Sequence, residues 1–409
     1  MKKLFLFTTF ALCSMVTWGQ WTEANTNLPT NSYISAFAEI GNTVFVNGGN
    51  ASLGGIYSSS NSGSTWNLTG SSGVGAKSFA VDGADLYTAN YGGVYHSSNN
   101  GVTWSTLSNG ITNVDVRSVA VCNSNIFAGV YGQGMTPSGI FKSSDNGANW
   151  STCNTGLPTT SISFDKLIVN GNNIFAGTDG HGVYLSSDNG GSWTEVNTGL
   201  TNTFIRSFAV SGSTLYAGTG DGVFYTTNNG GSWTAISTGL FANTLVDAIE
   251  VNGTDIFIGT NGNGGGIYHS NNNGTNWTNV SVGLPSNTAV KALVVSGSSL
   301  LAGVDAYGVW KRPLSEIGSA TNVQDITENV AFSISPNPSS KEVVIEATLL
   351  KRGSYVITVT DISGRIVHTQ NNILEVGSNK IALHFEGKGI YFVSLQSGAT
   401  KVERKVIVE

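Results

Sequence analysis

A tryptophan recurs through most of the chain, at Trp21, Trp66, Trp104, Trp150, Trp193, Trp233 and Trp277, at intervals of 45, 38, 46, 43, 40 and 44 residues. Few architectures have such a period, because each unit must bury its apolar face against the next one. The fifth unit is the clearest. Trp193 to Val196 is expected as a strand, with a turn at Thr198-Gly199-Leu200. Arg206–Val210, Thr214–Ala217 and Val223–Thr226 follow as strands, separated by Ser211-Gly212 and a Gly-rich loop from Gly218 to Gly222. Four short strands per unit are the signature of a propeller blade. The last unit ends at Gly308-Val309-Trp310-Lys311-Arg312 with no tryptophan segment behind it, whereas Trp21-Thr22-Glu23 supplies one at the start. The first strand is therefore predicted to complete the last blade as its outermost strand. Seven tryptophan segments and seven inner triplets predict seven blades over residues 20–313.

A second signature precedes each tryptophan strand: Ser59…Asn61…Gly63…Trp66, with counterparts ending at Trp104, Trp150, Trp193, Trp233 and Trp277. An Asp or Asn here folds back onto nearby backbone N–H groups, the Gly takes positive φ, and the Trp is expected to bury its ring against the hairpin. The series resembles the Asp-box (BNR) repeat of sialidases, sortilin-type receptors, xyloglucanases and the photosystem II assembly-factor family. That resemblance implies a propeller with peripheral, structural boxes. Asn stands for Asp in four of the six copies, which argues against calcium there.

After Pro313 the period stops. Residues 314–330 are polar and read as a linker, and 331–409 carry a different pattern. Strands are predicted at Val343–Ala347, Tyr355–Thr360, Arg365–Thr369, Lys380–Phe385, Ile390–Leu395 and Lys401–Val408, with period-two alternation in Tyr355, Ile357 and Val359. The fold class is thus all-β: a seven-bladed β-propeller followed by a small Ig-like β-sandwich. Ser335-Pro336-Asn337-Pro338, Val359-Thr360-Asp361-Ile362-Ser363-Gly364-Arg365, Gly389-Ile390-Tyr391-Phe392-Val393 and the basic end from Lys401 resemble the type A C-terminal sorting domain of the Bacteroidetes type IX secretion system. The resemblance implies passage across the outer membrane by that machinery through 331–409, followed by release or attachment at the cell surface.

The start fits the same route. Lys2 and Lys3 precede an apolar run from Leu4 to Val16, too short to span a bilayer comfortably, so residues 1–19 read as a secretory signal cleaved after Gly19. Leu12 before Cys13 is wrong for lipidation. Cys122 and Cys153 fall on the innermost and outermost strands of one blade, about 14 Å apart, beyond the roughly 7 Å a disulfide allows. Residues 20–313 carry 8 Lys+Arg against 15 Asp+Glu, which disfavours nucleic acid as a partner. No transmembrane segment is expected, and the chain reads as a monomer.

Aligning the inner strands gives one residue per blade at their start: Ser35, Lys77, Arg117, Asp165, Arg206, Asp247 and Lys291. From the third to the seventh the signs alternate. One reading is a ring of interblade salt bridges; the other is a polar ligand site at the channel mouth. Loops add Tyr91, Tyr131, Asp179, His181, Asp221, Asn261, Asp305 and Tyr307 to that face. Aromatic and amide groups on a polar face suit a glycan, a peptide or a protein partner. A glycoside hydrolase using Asp165 and Asp247 is the alternative, given that glycosidases set two carboxyls about 5–9.5 Å apart. The sialidase set of three arginines is not matched: within 20–313 only Arg117, Arg206 and Arg312 occur, and Arg312 lies on the closing strand. His96 and His269 occupy matching strand positions and read as solvent-facing residues, not metal ligands. No G-x-S-x-G, H-E-x-x-H or P-loop is present, so neither a cofactor nor a metal is expected.

Overall fold

The structure is a computed structural model. It describes residues 20–409 except 50–53, 71–72, 112–114, 132–137, 159–161, 263, 287, 318–329, 350–352, 376 and 398–399. The expected signal segment and most of the expected linker lie outside the described residues. The chain divides into two compact units, 1–319 and 320–409.

In the first unit, seven four-stranded antiparallel sheets follow one another, each built from consecutive strands running from the centre outward. Blade 5 is Ile205–Ser211, Thr214–Thr219, Gly222–Thr226 and Thr234–Ala235. The exception closes the circle. Thr22–Glu23 pairs with Gly308–Pro313, as Thr22 opposite Lys311 and Glu23 opposite Trp310, to become the outer strand of blade 7. The expected linker begins differently from its reading. Leu314–Glu316 form a 3₁₀ turn, and Ile317 is buried against blade 7. Buried Arg312 holds this turn, donating to the Glu316 carbonyl at 3.0 Å and to the Val280 carbonyl of blade 6 at 2.8 Å.

The boxes fold as their spacing dictates. In blade 4 the Ser186 hydroxyl donates to Asp188 and accepts from the Gly190 N–H, while Asp188 accepts the Ser192 N–H and hydroxyl. These bonds, led by that from the Ser192 hydroxyl, hold the Asp188 carboxyl down to about 2. The tryptophans, however, do more than cover their own hairpins. Each indole reaches the preceding blade, where its N–H donates to the carbonyl three residues past that blade's tryptophan. Trp66 meets Ala24 at 2.8 Å, Trp150 meets Leu107 at 2.6 Å and Trp193 meets Cys153 at 2.7 Å. Trp233 and Trp277 meet Val196 and Ile236, and Trp21 closes the cycle on Val280 at 2.7 Å. The turn after each outer strand fits this contact. Gly199 has φ +89°, and a Cβ there would lie 2.3 Å from the Trp233 carbonyl. Trp104 breaks the series: its indole nitrogen is buried without a hydrogen-bond partner among the described residues.

Cys122 and Cys153 are free thiols; Cys122 is buried, and burial pushes Cys153 up to about 12. His269 is buried, not solvent-facing: its Nε2 lies 2.6 Å from Asp255 and its ring stacks on Phe257 at 4.8 Å. His96 repeats the arrangement, half-buried, on Asp85 and Tyr87.

The second unit is a sandwich. Val330–Ser335, Glu342–Leu349 and Gly377–His384 form one sheet, while Ile366–Leu374, Gly353–Asp361, Gly389–Ser397 and Thr400–Val408 form the other. Its core includes Val343, Ile345, Ile357, Val359, Val393 and Leu395. Val330–Ser335 is a strand the sequence pattern did not single out.

The unpaired indole of Trp104 provides an internal control. Trp193→Phe removes ring volume and a buried bond, leaving the Cys153 carbonyl unpaired; Trp104→Phe removes volume alone. In urea titrations, Trp193→Phe is expected to cost about 1–3 kcal/mol more than Trp104→Phe. Equal losses would show that the bond contributes nothing.

Candidate functional site

An innermost strand has no partner on its channel side, so its edge N–H and C=O groups must be satisfied by other means. Serines supply several. The Ser118 hydroxyl donates to the Phe164 carbonyl and that of Ser207 to the Val246 carbonyl, each in the next blade. Ser35 donates to the Ala76 carbonyl at 3.0 Å, and Ser78 accepts the Val119 N–H.

The ring residues reach the channel by a different device. Arg117, Arg206, Asp247 and Lys291 each sit at a register shift between the first two strands of their blades. A bulge leaves one residue out of the ladder and re-aims its side chain. The charges then pair as two groups. Lys77 and Arg117 both engage Asp115, Arg117 from Nε at 2.8 Å, and Arg117 also lies 3.5 Å from Asp165. Arg206 and Lys291 share Asp247, with Lys291 Nζ at 2.6 Å. Burial alone would raise the Asp247 carboxyl, but Arg206 and Lys291 outweigh it and hold the group below its usual value. Asp165 and Asp247 each bind their own cations, and no described contact joins them.

Two members of this network were not among the sequence candidates. Asp115 is one. Lys166 is the other: it neighbours Asp165, Asp247, Arg206 and Lys291, and burial pushes its pKa down.

The loop candidates are spread around the rim. Asp179, His181 and Asp221 are exposed, and Tyr307 is half-exposed. The Thr178 hydroxyl accepts the His181 N–H, and Asp221 accepts the Asn243 N–H at 2.8 Å. Among the described residues, no hydrogen bond or ion pair ties these four side chains to the ring. Tyr91 and Tyr131 do join it: Lys77 Nζ lies 3.3 Å from the Tyr91 ring centroid and Arg117 lies 4.7 Å from that of Tyr131.

A groove of about 420 Å³ opens between blades 1 and 2, beside Ser35 and Lys77. Tyr33 and Tyr91 line it with Asn31, Asn47 and Asn90, on a floor of glycines. Among the described residues no carboxylate lines it, and its cation, Lys77, is already engaged by Asp115 and Tyr91. Tyr33 is 44% exposed and Tyr91 62%. Burial, then Asp305, raises the Tyr33 hydroxyl above its usual value. Among the described residues of the propeller, the exposed aromatics are Tyr33, Tyr91, Phe204, Phe241 and Tyr307. All five stand on the channel-mouth face. Tyr33, Phe204 and Asp115 share an offset, two residues before the ring position, and reading that column would have found them.

Comparison with known proteins follows from this geometry. Residues 13–165, 108–247 and 163–301 match the DUF6242 β-propeller domain family, and residues 333–409 match the secretion system C-terminal sorting domain. PorZ of Porphyromonas gingivalis, a surface component of its type IX secretion system, aligns over 95% of this chain at 15% identity and a TM-score of 0.53. The chain spans 61% of that protein's length. YCF48 bound to D1 peptide aligns over 73% of this chain and 98% of its own at 15% identity and a TM-score of 0.56. YCF48 from Cyanidioschyzon merolae aligns over 72% and 98% at 12% identity and a TM-score of 0.53. At these identities the likeness is one of fold. No curated protein matches the chain by sequence.

At the far end of the inner strands, Glu250 stands three residues past its ring position, where the other blades carry Ala, Ile or Val. Its carboxylate accepts the Val295 N–H at 3.1 Å, while Glu39 accepts from Ser296. Burial, reinforced by Glu39, pushes Glu250 up to about 7 from an ordinary 4.5. A folded-state value above the unfolded one gives stability that is complete below about 4.5 and lost as pH rises through about 7. Glu250→Gln should remove that loss, so the variant should be about 1–3 kcal/mol more stable near pH 8. The gain should vanish towards acid pH in denaturant titrations. A difference independent of pH would refute this.

Proposed function

Since the chain belongs to the DUF6242 β-propeller family and ends in a secretion-system sorting domain, we propose that it is a non-catalytic binding protein whose channel-mouth face holds an uncharged saccharide. The sorting domain makes it an exported protein, released or held at the outer-membrane surface. The observation that carries the binding reading is the groove between blades 1 and 2. Two exposed tyrosine rings, Tyr91 with Lys77 on one face, can stack on the C–H side of a sugar ring, and Asn31, Asn90 and the open glycine backbone offer amides to its hydroxyls, while Asn47 is held by Ser35 and the Tyr33 carbonyl. Among its described lining residues only Ala76 and Ala306 are aliphatic, which favours a polar ligand over an apolar side chain of a peptide. The charged ring has a separate role, fixing the inner strands against one another.

The site asks for no cofactor, and the protein acts as a monomer. Asp247 is disfavoured as the general acid of a glycosidase pair by its surroundings. A general acid must hold its proton near neutral pH, whereas Arg206 and Lys291 keep Asp247 ionised.

Tyr33→Ala and Tyr91→Ala should each weaken binding to a neutral glycan array by about tenfold or more, with melting unchanged. Arrays of neutral glycans that give no signal with the unaltered protein would rule the saccharide out. Turnover of a glycoside that disappears in Asp165→Asn or Asp247→Asn would overturn the non-catalytic reading.

A further inference from the structure

The sorting domain contains two signature stretches that the sandwich core consumes only in part, burying Val359 and Val393. Asp361 folds the turn between Gly353–Asp361 and Ile366–Leu374 by accepting from the Ser363 N–H and hydroxyl and from the Arg365 N–H and Nε. This rigid turn holds Ile362 76% exposed at its tip. An aliphatic side chain so exposed adds almost nothing to the core. Gly389-Ile390-Tyr391, the start of another strand, runs alongside. The two stretches, about 25 residues apart in sequence, line one cleft of about 280 Å³ with Arg365, Val367 and Lys388. Val367 and Ile390, which line it, are exposed at 43% and 38%. A third signature residue, Asn337, has an internal task by contrast: it donates to the Lys405 carbonyl and accepts the Ile407 N–H.

We propose that the cleft formed by Asp361–Arg365, Val367 and Lys388–Tyr391 is the surface by which the export machinery reads this chain, with Ile362 as its anchor. Exposed apolar groups grouped in one place mark an interaction site. Their cationic rim fixes the chemistry of the partner. It presents an apolar side chain to Ile362 and Ile390, beside a carboxylate that meets Lys388, an exposed lysine. Arg365 stays on Asp361 at 3.0 Å and keeps the turn closed. The tail is thus recognised as a folded surface.

The test is export of the full chain in a host carrying the machinery, read as protein outside the cell against protein in the periplasm. Ile362→Glu and Lys388→Glu should each lower the external fraction by about tenfold, the effect of losing a hot-spot side chain. Melting of the purified chains should be unchanged, and Ile362→Leu should restore export. Ile373→Glu is the control, because Ile373 is 69% exposed near the opposite end of the same strand. Normal export of both Ile362→Glu and Lys388→Glu overturns the proposal. So does an equal loss in Ile373→Glu, which would mean that any charge on this sheet blocks passage. Export of a chain lacking 331–409 would overturn it together with the sorting role itself.

Discussion

The fold depends on one hydrogen bond made again and again around a circle. A blade of four short strands cannot bury both its faces alone, so the propeller exists only as far as neighbouring blades are held in register. The tryptophan indole does this at the periphery. Its ring fills the gap between blades, and its N–H, at 2.6–2.8 Å, takes a carbonyl of the preceding outer strand. Each such bond contributes about 1 kcal/mol net, and six of them match the stability margin of many whole domains, about 5–15 kcal/mol. The box before Trp66, Trp150, Trp193, Trp233 and Trp277 serves this need. It fixes the turn from which the indole is aimed, so Ser186 and Asp188 act on blade 3 through Trp193.

At the centre the constraint is reversed, because seven strand edges face a channel and none has a partner. Serines at the strand starts meet part of the demand, and bulges turn charged residues inward to pair with one another. The alternating signs at Arg117, Asp165, Arg206, Asp247 and Lys291 therefore do not make an even ring. They make two groups, one around Asp115 and one around Asp247. Each carboxylate is shared by two cations, which leaves Asp247 ionised despite its burial.

Most of the fold was legible because its causes are periodic. The tryptophan spacing carried the blade count, and the missing segment after Arg312 carried the closure through Thr22–Glu23. What escaped was set by contacts between blades, which a repeat compared with itself does not display. The indole of Trp193 belongs to blade 3 as much as to its own blade. Asp115 and Tyr33 stand two residues before their ring positions, so attention to ring positions passed over them. His269 looked like a surface residue because its strand faces outward, yet Phe257 and Asp255 enclose it. Leu314–Ile317 read as linker because the chain there is polar, although Ile317 completes the core of blade 7.

The candidate groove lies where the peripheral latch fails. The interval from Trp66 to Trp104 is the shortest of the series, 38 residues, and the connection from the outer strand of blade 1 to the inner strand of blade 2 is correspondingly brief. The carbonyl that Trp104 would take, by the rule the other six obey, is that of Thr69; instead the indole nitrogen is left without a partner. The same pair of blades holds the groove of Tyr33 and Tyr91 between them. In a structure whose stability is a sum of neighbour interfaces, one interface can be weakened locally while the rest keep the circle closed. The junction that gives up its latch is the one beside the groove, where the Tyr33 and Tyr91 rings are exposed, and the other six junctions keep the circle closed.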